Sequence, residues 1–319
     1  MRKFWTFIKD WTLPVAMIVG VLSYFAFKDI RALEPVLPAA RWVSSHFPPW
    51  LIFFMLLFTF TKVHPKDLWP RRAHLWLILI QVLGSVGIYL LLHPFNEVVA
   101  QSAMVCIICP TATAAAIITE KLGGKVDALI TYVIEINLVV SVFVPAVFPL
   151  IEPHEGLTFF QAFLTILKRV VPLLVFPLIT AWFLRFCIPA VHKWLYDNRG
   201  AAFYLWALSL VLVMAQTTKS LVESEYSLGV ELSIALVGLV TCVLQFVIGK
   251  KIGSRYGDRI SAGQGLGQKN TVLAIWMAYT YLNPVTAVAP GCYVVWQNII
   301  NSWQLYRKRK REERLKSAS

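Results

Sequence analysis

Lys269 brings an ammonium into an apolar stretch. It stands in Gly263-Gln264-Gly265-Leu266-Gly267-Gln268-Lys269-Asn270-Thr271 and opens the apolar run Val272 to Leu282. A charge inside hydrocarbon costs about 3 kcal/mol or more, so it requires a partner or a watered cavity. Glu135, in Thr131-Tyr132-Val133-Ile134-Glu135-Ile136-Asn137, is the acidic candidate for that partner. Gln264 and Gln268 lie one helical turn apart, and Gln81 interrupts another apolar run. Such amides can coordinate a small cation or bond a solute, or they can join helices for around 1 kcal/mol. A second constellation is Cys109-Pro110-Thr111-Ala112-Thr113-Ala114-Ala115-Ala116. Pro110 has no N–H and its ring clashes one turn back, so a helix from Val98 to Cys109 is expected to kink or stop. A new half-helix can begin with Thr111 or Thr113 as its cap. Its free N–H groups and positive dipole end suit an anion. The bland readings are a covered proline kink and a Lys269–Glu135 pin between helices.

The elements that position these residues are membrane helices. The chain has 319 residues, 58% hydrophobic and only 15% charged, with a mean hydropathy of +0.65. A span takes about 20 apolar residues. Spans are predicted near 11–27, 44–62, 73–92, 97–119, 127–150, 170–190, 201–217, 230–249, 263–282 and 284–305. This leaves no room for a soluble catalytic domain. The expected fold class is an all-α membrane protein with about ten transmembrane helices. The whole chain, 1–319, reads as one integral membrane domain, with repeat one at about 11–150, repeat two at about 170–305 and a basic tail at 306–319. The fourth span of each half carries an interruption, the arrangement of an inverted 5+5 repeat with two broken, crossing helices.

The net charge of +13 reads as topology rather than as nucleic-acid binding. Arg2, Lys3, Lys9, the segment Lys62 to Arg72, Lys121, Lys125, Arg185, Lys193, Arg199, Lys250 to Arg259 and Arg307 to Lys316 fall on one side of the predicted layout. The positive-inside rule then puts both termini in the cytoplasm, with the chain in the inner membrane. Many Trp stand near predicted span ends (Trp5, Trp11, Trp50, Trp69, Trp76, Trp194, Trp303), as an interfacial belt requires. Cys106, Cys109, Cys187, Cys242 and Cys292 are odd in number and fall within or beside spans, which argues against a disulfide framework. Cys106-x-x-Cys109 reads as two small residues on one helix face, since no second Cys/His pair accompanies it. The N-terminus lacks the pattern of a cleavable signal. His46, His64, His74, His93, His154 and His192 fall at span ends or in loops, so no His/Asp/Glu cluster for embedded catalysis is expected.

With those motifs in order, the chain resembles the bile acid:sodium symporter superfamily. Cys109-Pro110-Thr111-Ala112-Thr113-Ala114 stands where the family has Cys-Pro-Gly-Gly-Thr-Ala, and Gln264-Gly265-Leu266-Gly267-Gln268-Lys269 where it has Glu-x-Gly-x-Gln-Asn. Gln81 stands where the family has a sodium-binding Gln. The resemblance implies a panel domain and a core domain, two broken helices crossing in the core, and alternating access with solute bound beside the crossing. The residues themselves offer substrate contacts from Thr111, Thr113, Glu135, Asn137, Lys269 and Asn270, and the resemblance adds ion contacts from Gln81, Gln264 and Gln268. The departures matter. The family's sodium-binding Ser-Asn pair reads Ala115-Ala116, its acidic ligand reads Gln264, and an Asn position reads Lys269. Sodium coupling is therefore expected to be weak or absent, with Lys269 as a built-in cation or a proton carrier. The expectation is a secondary transporter for a small organic solute, an anion by the sign of Lys269. It would have no cofactor, no catalytic residue and no nucleic-acid partner, and its only coupling ions would be Na+ or H+. The alternatives are a sodium-coupled symporter of the same fold, or a membrane-embedded enzyme or scaffold. Solute identity and oligomeric state have no signature in the sequence.

Overall fold

A computed structural model describes residues 12–153, 156–198 and 200–318. The expectations placed on Arg2, Lys3, Trp5, Lys9, Trp11, His154 and Arg199 lie outside these residues. The described chain is helical throughout: α1 (Thr12–Asp29), a short 3-10 turn (Arg31–Val36), α2 (Leu37–Phe60), α3 (Arg72–Leu92), α4 (Glu97–Ile108), α5 (Ala115–Leu122), α6 (Val126–Ile151), α7 (Phe159–Cys187), α8 (Pro189–Asp197), α9 (Ala201–Val222), α10 (Leu228–Arg255), α11 (Arg259–Gly267), α12 (Thr271–Tyr281) and α13 (Val288–Ala318). Among the described residues, six stretches are long and apolar enough to cross a membrane: Arg31–Phe60, Arg72–Leu92, Val126–Ile151, Phe159–Cys187, Ala201–Val222 and Leu228–Arg255. The chain is thus an all-α integral membrane protein.

Many large apolar side chains face outward, among them Leu83, Leu90, Leu150, Phe176, Leu232 and Val247. In a soluble protein such a surface would be an aggregation hazard; in lipid it is solvated. Packing divides the helices into two groups. One gathers α1, α2, α7 and α9; the other gathers α3 and α4 with α10, α11 and α13. α6 packs along α7 and also meets α11, so it joins the groups. Small residues set the closest approaches. A Cβ on Gly20 of α1 would stand 2.6 Å from the Val211 carbonyl of α9.

Sequence and structure differ at several boundaries. α7 begins at Phe159, well before the predicted 170, because Thr158 and Gln161 form a capping box. The amphipathic α8 was not predicted as a separate element. The basic tail 306–319 does not leave the last helix; α13 carries it on as helix to Ala318, and Lys308 Nζ donates to the Lys121 carbonyl at 2.8 Å.

Candidate functional site

Two helices stop inside the second group, and the stops meet. The first lies between α4 and α5, over residues 109–114, and the second between α11 and α12, over 268–270. Proline alone does not explain the first. Pro48 and Pro49 ride inside α2, Pro145 and Pro149 inside α6, and Pro172 and Pro177 inside α7, without ending those helices. At Pro110 the backbone groups released by the break find new partners. Ala112 N–H donates to the Gln268 carbonyl at 2.9 Å, and Asn270 N–H donates to the Pro110 carbonyl at 2.8 Å. Thr111 and Lys269 form an antiparallel bridge between them. Cross-bonding keeps both stretches open, because a buried peptide group without a partner is costly.

Side chains complete the joint. Gln81, fully buried on α3, donates its amide to the Ile108 and Cys109 carbonyls at 2.9 and 2.8 Å and accepts from Tyr132 Oη at 2.9 Å. Thr111 Oγ1 donates to the Gly265 carbonyl at 2.5 Å, and Cys109 Sγ to the Asn270 carbonyl at 2.9 Å. Asn270 caps α12, accepting from Leu273 N–H at 3.3 Å. Lys269 N–H donates to Gln297 Oε1 at 2.9 Å. Tyr293 Oη donates to the Gly267 carbonyl at 2.7 Å and accepts from Gln245 Nε2 at 3.1 Å. Gln264 Nε2 donates to Asn301 Oδ1 at 2.9 Å. Tyr293, Gln245, Gln297 and Asn301 belong to the joint, and sequence reasoning missed them. For Gln245, Gln297 and Asn301 the signal was the presence of amides at depth, without a period that would tie them to either break; Tyr293 had none.

Several expectations need correction. The expected cap on the second half-helix is absent: α5 starts at Ala115 after Ala114, with no side-chain cap bond. Thr111 is turned to the other break, and Thr113 is half-buried beside it. The glycines before Lys269 do not break the helix. Gly263, Gly265 and Gly267 lie within α11 and give it room: a Cβ on Gly265 would stand 2.9 Å from the Tyr132 ring, and one on Gly267 would overlap Phe246. The interruption follows them, so Gln268 is no longer helical and does not continue the Gln264 face. Nor do Lys269 and Glu135 pair. Glu135 Oε2 lies instead 2.8 Å from His74 Nδ1, near the start of α3, off the line of a good hydrogen bond. Asn137 is buried one helical turn from Val133 and donates to its carbonyl at 2.6 Å.

Lys269 itself is 1% exposed, and its Nζ has no hydrogen-bond partner among the described residues. Oε1 of Gln264, Oε1 of Gln268 and Oε1 of Gln245, with Oγ1 of Thr271 and Nδ2 of Asn301, are likewise buried without partners. Polar atoms left unsatisfied at a helix break mark a place where a ligand can supply what the protein does not. Ala115 and Ala116 are both buried at the start of α5 and offer no side-chain oxygen. Among the described residues no group of His, Cys, Asp and Glu is arranged to hold a metal ion. Compared with known proteins, the chain matches no family model and no curated sequence.

Proposed function

We propose that this chain is a secondary transporter that carries a small organic anion across the inner membrane by alternating access. The reading includes ten spans in an inverted 5+5 repeat, both termini in the cytoplasm, and membership of the bile acid:sodium symporter superfamily as a divergent type. One observation carries it: a buried ammonium without a partner, held where two interrupted helices meet. An anchor or scaffold has no use for that cost. A solute carboxylate would complete the site, with the orphaned Thr271 hydroxyl available to donate to its second oxygen and the Gln264 and Gln268 amide oxygens available to accept from a hydroxyl or N–H elsewhere on the solute. The division of helices into two packing groups further supports a core that moves against a panel. Solute would engage Lys269, with Thr111 bridged to it and Asn270 next in the chain; Thr113, Asn137 and Glu135 complete the proposed set.

Sodium coupling is weak or absent in this reading. Ala115 and Ala116 lack ligand oxygens, Gln264 is neutral, and Gln81 spends its oxygen on Tyr132. The free oxygens of Gln264 and Gln268 are what favour the second reading, a sodium-coupled symporter of the same fold. Purified protein in liposomes, offered a panel of organic acids with sodium or with choline outside, separates the two. Flux that survives in choline and is lost in Lys269→Met supports the proposal. Flux lost in choline supports the second reading, and turnover of an acid without flux rejects both in favour of an enzyme.

A further inference from the structure

His74 and Glu135 form a titratable pair that the crossing itself does not use. The His74 side chain is 5% exposed and that of Glu135 19%. Neither carboxylate oxygen has a well-directed hydrogen bond among the described residues. The charged and titratable groups facing the pair come from three directions. Arg71, just before α3, is held by Asp127 of α6 at 2.5 Å and by Asp258, just before α11, at 3.7 Å. Tyr132 of α6 meets the His74 ring edge-on, with centroids 5.6 Å apart. A cavity of about 10 Å³ lies among His74, Tyr132, Asp258 and Ser261, close to the space one water needs. From the pair, a polar path runs inward. Tyr132 Oη donates to Gln81, and Gln81 holds the last carbonyls of α4 at the first break.

We propose that His74 and Glu135 together form a proton-binding site, and that its occupancy is passed through Tyr132 and Gln81 to the crossing. This rests on the transporter reading and names its coupling ion as H+. With His74 neutral and Glu135 ionised, the pair carries one negative charge. A proton taken from water on one side brings the pair to zero, as imidazolium–carboxylate or as two neutral groups, and is returned to water on the other side. Protonation favours a well-aligned, charge-assisted bond in place of the off-line contact at 2.8 Å, which turns the His74 ring against α6. Tyr132 packs on that ring, so the movement reaches Gln81 and the end of α4. An ionisable carboxyl within a membrane-spanning helix is expensive and functional by default, whereas a purely structural pin would hold its partners in line. Asp258 and Ser261, beside the cavity, give the proton an approach from the Arg71 side.

Two measurements on the full-length protein in lipid nanodiscs, without solute, test the proposal. In pH-difference infrared spectra the wild type should show carboxylate and imidazole bands that titrate together. Glu135→Gln should lose the carboxylate change, and His74→Gln should shift its midpoint. Hydrogen exchange at residues 109–114 and 268–270 should change several-fold across the same titration. Tyr132→Phe should keep the infrared change and lose the exchange response, a result that a packing defect would not give. Should His74→Gln fail to fold, Tyr132→Phe and Glu135→Gln still decide the matter. The proposal is overturned if the pH-difference spectra show no carboxylate change that Glu135→Gln removes, or if the exchange response persists in Tyr132→Phe. Because no solute is involved, loss of flux with these responses intact would reject the transporter reading while leaving the proton site standing.

Discussion

Gln81→Leu is the sharpest test of how the first break is held. The two side chains are close in volume, so the change opens no cavity. It removes both donors to the Ile108 and Cys109 carbonyls and the acceptor for Tyr132 Oη, all in a residue with no exposed surface. Valued as interhelical hydrogen bonds in a membrane, these would sum to about 2 kcal/mol. The carbonyls and the phenol stay behind without partners, however, and each such orphan costs about 1–3 kcal/mol. The second effect is the larger, giving roughly 3–9 kcal/mol in total for the three groups. At about 2 °C per kcal/mol for a chain of this length, the apparent melting temperature in detergent should fall by roughly 6–18 °C. Tyr132→Phe orphans a single acceptor and should cost about 1–2 kcal/mol. Combined with Gln81→Leu it should add less than its separate cost, by about 1 kcal/mol, because the shared bond is already gone. A Gln81→Leu protein melting within about 2 °C of wild type would refute the reasoning, since α4 would then end without help from its neighbour.

Two further outcomes follow from the same joint. Lys269→Met removes an ammonium that no carboxylate balances, so it should raise stability by about 3 kcal/mol, seen as a higher melting temperature, while abolishing anion flux in liposomes; a drop in stability would show a counter-charge at work. Gly267→Ala drives a methyl into the Phe246 ring and should destabilise by about 1–3 kcal/mol, with Phe246→Leu restoring most of the loss in a thermal-shift assay.

How far the sequence carried depends on the kind of question asked of it. Pro110 and the Lys269 segment pointed to two stops because their chemistry is local: a missing N–H and a charge in hydrocarbon. What each released group would bond was not local. Thr111 was expected to cap the next helix, yet its hydroxyl reaches Gly265, a residue far along the chain. The partner of Glu135 was misjudged for a related reason. Helices that are apolar on every side carry little periodic signal, so the rotation of α6 that turns Glu135 toward α3 and away from α12 could not be derived. Charge alone suggested Lys269; position selected His74. The glycines of α11 point from the sequence to an interruption at that depth, but they lie within the helix, where they give clearance for Tyr132 and Phe246. The start of α7 was readable and overlooked, since Thr158-Phe159-Phe160-Gln161 has the form of a capping box.

The cross-bonding of the breaks has a mechanical consequence. Separating residues 109–114 from 268–270 would strip partners from peptide groups on both strands at once, in surroundings that offer no replacement. The four helical pieces that radiate from this knot are therefore expected to travel as one body. Rearrangement then belongs to its perimeter, where α12 rests on α2 and α9 through side chains alone, and where sliding breaks no backbone bond.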